Sequence, residues 1–160
     1  MKAKAFFIFA VSVVAMTILS STSRSHCEIP CGIYDDAMRY DMLSEHIKTI
    51  EKSMDMITTL SAEGEKNYNQ LIRWVVNKEE HATKFMDIVW QYFLNQRIKP
   101  IDTDTGAKYD DYITQLKLMH QMLIYAMKCK QTTDKANIEK LSELVGQSRK
   151  LYFKEHGHEH

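Results

Sequence analysis

Apolar residues recur every three or four positions along four stretches of the chain, with charged residues filling the intervals. Over 36–60, Leu43, Ile47, Ile50, Met54, Ile57 and Leu60 draw one stripe down a helix. A second helix is predicted over 65–95, with Tyr68, Ile72, Val75, Ala82, Phe85, Val89 and Phe93 among its inward positions. Residues 97–107 contain Pro100 and Gly106, break the period and form a loop. The third helix, 109–130, shows a stripe of Tyr112, Leu116, Met119, Leu123 and Met127. A polar turn at 131–133 follows, with Thr133 able to cap the last helix, 134–153, which buries Ile138, Leu141, Leu144, Val145 and Tyr152. Each stripe needs a partner, since burial returns about 25 cal/mol per Å² of apolar area. Four such helices with mostly short connections predict an all-α fold, an antiparallel four-helix bundle.

Composition supports this and removes other classes. The chain has 160 residues, enough for one core, and only five Gly and two Pro, too little turn chemistry for an all-β fold. Lys plus Arg and Asp plus Glu number 21 each, so no basic surface points to nucleic acid. Glu79 falls on the apolar face of the second helix, where it is expected at the margin with its carboxylate turned outward.

Residues 1–25 stand apart. Lys2 and Lys4 precede the apolar run 5–19, and a small, polar stretch follows it, with Ser23 and Ser25 three and one residues before His26. That order is a signal or pro-peptide, and the run is shorter than the roughly 20 residues of a spanning helix. Cleavage after Ser25 would leave His26 as the first residue and no membrane segment. Losing Lys2, Lys4 and Arg24 from 21 basic residues leaves 18 against 21 acidic ones, a formal charge of −3. Attraction of an anionic substrate would therefore have to be local. The expected division is a leader at 1–25, a metal hook at 26–35, the bundle at 36–155 and a His-rich tail at 156–160. The expected location is exported, periplasmic or secreted, with cytoplasmic maturation of a pro-peptide as the lesser case.

Three cysteines, Cys27, Cys31 and Cys129, are an odd count for an exported chain and direct attention to metal-bound or reactive thiols. Cys129 lies on the third predicted helix and reads as a free, partly buried small side chain. Cys27 follows His26 directly and Cys31 lies four residues further on; the pair could close a small disulfide loop or bind a metal. A freed His26 amine and the backbone nitrogen of Cys27 close a five-membered chelate ring. That nitrogen and the Cys27 thiolate close a second, Cys31 supplies another thiolate, and the His26 imidazole can approach along the axis. A flat set of two nitrogens and two sulfurs suits nickel or copper rather than tetrahedral zinc.

The string His26-Cys27-Glu28-Ile29-Pro30-Cys31-Gly32-Ile33-Tyr34-Asp35 resembles the hook of the nickel superoxide dismutase family, H-C-x-x-P-C-G-x-Y-D, at every fixed position. Residues 72–93 are similar, more loosely, to that family's second helix. The resemblance implies disproportionation of superoxide to dioxygen and hydrogen peroxide by nickel cycling between +2 and +3. It implies one nickel ion per subunit held by His26, Cys27 and Cys31, and a role for Tyr34 beside the open metal face. A processing peptidase and a homo-oligomer, a hexamer in the family, are its implied partners. In some members a glutamate and an arginine hold the axial imidazole; here Asp41, Glu45 and His81 are the candidates for that place. The alternative reading is an exported, non-catalytic metal-binding helical protein using Cys27 and Cys31.

Overall fold

The computed structural model describes residues 34–102 and 104–156. Among the described residues four long helices follow one another in chain order: α1 Asp36–Ala62, α2 Tyr68–Asp87, α3 Ala107–Gln131 and α4 Lys135–His156. A single 3-10 turn, Glu65–Asn67, leads into α2, and α2 runs on as a π-helix over Ile88–Arg97. As partner positions ascend α1 they descend α2 and α4, from Asp36 with Tyr92 and Tyr152 to Ser53 with Asn77 and Glu51 with Lys135. Gln115 with Ser148 and Asp111 with Lys154 show the same for α3 and α4. The helices form an antiparallel four-helix bundle, each packed on its two neighbours, and no described segment is a strand.

The stripes of α1 and α4 are buried as their period predicts. Those of α2 and α3 are corrected. Tyr68, Ile72 and Val75 are exposed, Tyr68 at 55 % and Ile72 at 62 %. The cause is an overhang. The Lys78 ammonium meets backbone carbonyls at the corner between α3 and α4, and Lys135 at the start of α4 meets Glu51 and Asp55. The end of α1 and the first turns of α2 therefore extend past that corner by roughly 10 Å, at 1.5 Å per residue. There the two helices cover only each other.

On α3 the buried positions are Gln115, Leu118, Met119, Met122, Ala126 and Cys129, while Met127 of the expected stripe is exposed. Apolar residues surround most of this helix, so its period does not select one face. Helix ends obey local chemistry. The Asp35 carboxylate accepts from the Met38 amide at 2.9 Å and caps α1. The α4 cap is Asp134, whose carboxylate accepts from the Ala136 amide at 3.0 Å, and not Thr133. Gly106 opens α3 at φ 95°, a conformation that costs a residue with a Cβ.

Two polar devices sit inside the bundle. Lys78 is only 4 % exposed, and its ammonium donates to the carbonyls of Cys129, Lys130 and Thr132, the unpaired end of α3. Glu79 beside it is half-buried and pairs with Lys130 at 3.4 Å, at the margin as expected. Between α1, α3 and α4, the Tyr40 hydroxyl lies 2.8 Å from that of Ser148, and the Gln115 amide donates to both.

Candidate functional site

His26, Cys27 and Cys31, the leader 1–25 and tail residues 157–160 lie outside the described residues. Among the described residues no three His, Cys, Asp or Glu side chains gather to hold a metal, and no helix is long and apolar enough to cross a membrane. The third thiol, Cys129, is free and wholly buried in the core. Burial pushes it up to about 11, so it is a neutral packing group at ordinary pH. That agrees with its expected role as a free packing side chain.

Tyr34 is the first described residue, and a dense polar cluster holds its surroundings. The Arg97 guanidinium lies over its ring at 4.3 Å from the centroid, and the Tyr92 ring meets it edge-on at 6.0 Å and 73°. Arg97 is fixed by Asp36. Its Nε donates to Asp36 Oδ1 at 2.8 Å and its Nη2 to Oδ2 at 2.6 Å, a forked ion pair. The hydroxyls of Tyr92 and Tyr152 donate to the same carboxylate at 2.7 and 2.8 Å. Burial raises the Asp36 pKa, but the hydrogen bonds from Arg97, Tyr92 and Tyr152 outweigh it, and the carboxyl lies below its ordinary value. Burial and the Asp36 carboxylate push both tyrosine hydroxyls well up, so each remains a donor.

The π-helix makes this cluster possible. In an α-helix, residues five apart point about 140° away from each other. A π-helix bonds each amide to the fifth carbonyl back, as the Ile98 amide does to Phe93 at 2.8 Å. Tyr92 and Arg97, five apart, thereby reach one carboxylate. Neither helical period nor motif spacing reveals this, and Asp36 reads in the sequence only as a helix start.

The candidates for an outer partner of His26 are placed as follows. Asp41 accepts from Arg149 at 2.6 Å, Glu45 is exposed on α1, and His81 faces His46 with their Nδ1 atoms 3.0 Å apart. Arg97 also borders a cavity of about 620 Å³ at this end of the bundle. Lys99, Lys108 and Lys154 join Arg97 in its wall; Arg97 is paired with Asp36, and Lys154 with the lining Asp111 at 3.0 Å.

An antiparallel four-helix bundle, preceded in sequence by a segment carrying Cys27 and Cys31, defines a small α-helical protein. The family model for nickel-containing superoxide dismutase matches residues 21–156, nearly all of the chain, and the protein belongs to that family of oxidoreductases. No curated protein and no solved structure matches it.

Proposed function

We propose that the chain is exported, is cut after Ser25, and disproportionates superoxide at one nickel ion per subunit held by His26, Cys27 and Cys31. The observation that carries this is the ten-residue hook at 26–35, inside a family match that spans 21–156. The donor set would fit the ion: an amine, an amidate and two thiolates are electron-rich donors that suit nickel, and the described residues offer no competing cluster. Nickel bound there would supply one-electron cycling between +2 and +3, because these donors stabilise the higher state.

The reaction consumes two superoxide ions and two protons and yields dioxygen and hydrogen peroxide. The chain must therefore admit a small anion and deliver protons. Tyr34 is proposed to orient the anion or a water through its hydroxyl, with its ring held between Arg97 and Tyr92. Lys99 and Lys108 in the adjacent cavity, beside the ion-paired Arg97 and Lys154, support local attraction of an anion on a chain expected to carry −3.

Assembly as a homohexamer is part of the proposal. It is supported by apolar side chains left exposed in the single chain, among them Tyr68 and Ile72 on α2 and Ile113 and Ile124 on α3.

N-terminal sequencing, metal analysis and electron paramagnetic resonance of the processed protein test the reading together. A start at His26, one nickel per chain and a rhombic nickel(III) signal are expected. Cys27→Ser and Cys31→Ser should abolish nickel retention and His26→Ala should lower activity; full activity in either serine variant discards the ligand assignment.

A further inference from the structure

Tyr34 stands two residues before the first turn of α1, where a short peptide could swing freely if nothing beyond the helix cap held it. The structure holds it through side chains that come from three helices. Asp36 is the hub: 14 % of its side chain is exposed, and its two oxygens take four hydrogen bonds, two from Arg97 and one each from Tyr92 and Tyr152. Its place at the N-terminal end of α1 favours the anion further. Arg97, so locked, sets its guanidinium carbon over the Tyr34 ring at 4.3 Å from the centroid, while Tyr92, held by the same carboxylate, makes a T-shaped contact with that ring. The Arg39 guanidinium lies over the Tyr92 ring at 4.9 Å from its centroid.

We infer that Asp36 is a positioning residue for superoxide dismutation, one that fixes the Tyr34 phenol by holding Arg97 against its ring. Asp36 itself touches neither substrate nor metal in this scheme. The inference rests on the proposed role of Tyr34 and adds a requirement to it: a planar cation bonded through two nitrogens to one carboxylate. A point charge at position 97 would satisfy the ion pair without supplying the planar group.

The test uses Asp36→Asn, Asp36→Glu and Arg97→Lys, with Lys78→Met as a control of lowered stability far from Tyr34. In nickel-free protein with labelled tyrosine, nuclear Overhauser contacts from the Tyr34 ring to Arg97 and Tyr92 should be present in the wild type. They should be lost in Asp36→Asn and weakened in Arg97→Lys. In nickel-loaded protein both variants should keep one nickel per chain while turnover falls about tenfold, the scale of a modest misplacement of a reacting group. Asp36→Glu, which restores a carboxylate, should recover part of the turnover, and Lys78→Met should keep wild-type turnover per nickel. Unchanged ring contacts with wild-type turnover in Asp36→Asn overturn the inference, as does full activity in Arg97→Lys. If Asp36→Asn does not fold, Arg97→Lys decides alone. Failure of the underlying reading shows separately, as full turnover in Tyr34→Phe or no dismutation by the loaded wild type.

Discussion

The ammonium of Lys78 on α2 lies 2.8 Å from the carbonyl of Cys129 on α3, inside the bundle. With the carbonyls of Lys130 and Thr132 it gives the end of α3 three acceptors bonded to one cation. Burial lowers the Lys78 pKa, while Glu79 acts in the opposite direction. Replacing it by Met keeps the apolar stem and strands the carbonyls. Lys78→Met is expected to cost about 3 kcal/mol, the upper range for hydrogen bonds to a charged group. Urea unfolding of nickel-free protein measures this without metal linkage; a midpoint equal to that of the wild type contradicts it.

The polar trio in the core makes a second case. Ser148 touches both Tyr40 and Gln115, and Gln115 is only 2 % exposed. Ser148→Ala removes one partner from each and should cost about 1–3 kcal/mol. Adding Gln115→Leu to Ser148→Ala should cost less than the two single losses combined, because fewer stranded polar groups remain. A double-mutant cycle with simple additivity would contradict the coupling.

Acid should weaken the α1–α2 seam. Burial lowers the His46 pKa, aided by His81 and Lys84, and burial with Lys84 lowers that of His81, while Glu45 and Glu80 pull the other way. A histidine whose folded pKa is depressed binds its proton more readily when unfolded. The stability it lends is thus complete above the unfolded value near 6.5 and is lost as pH falls below it. Stability measured from pH 7.5 to 5 should decline, and His81→Gln should flatten the decline. An equal slope in that variant assigns the acid sensitivity to other groups.

The exposed apolar face of α2 bears on assembly. Ile72→Glu places a charge in the middle of Tyr68, Val75 and Val76, all exposed in the single chain. If this face is covered in the oligomer, light scattering should show a smaller species for the variant at equal concentration. An unchanged mass places the contact elsewhere.

The family was legible because its motif is local: the ten residues from His26 to Asp35 carry the resemblance, and the family match spans 21–156. The stripes of α1 and α4 were legible for a related reason, since Leu43 to Leu60 and Ile138 to Tyr152 put their buried residues on one helical face. On α3, Ile113, Leu118, Met119, Leu123, Ile124 and Met127 point in nearly all directions, and only the neighbouring helices choose which are covered. Tyr68 and Ile72 keep a helical period but have no second layer above them, because chain lengths elsewhere end the α3–α4 corner short of that turn.

Local sequence thus determined the helices, the class of fold and the family motif, all of which depend on spacings of a few residues. Tertiary structure decided which faces are buried and how Asp36 gathers Arg97 from 61 residues away, with Tyr92 and Tyr152, around Tyr34. That gathering depends on a π-helical turn and on three helices meeting at one carboxylate. No spacing within a single helix contains those conditions.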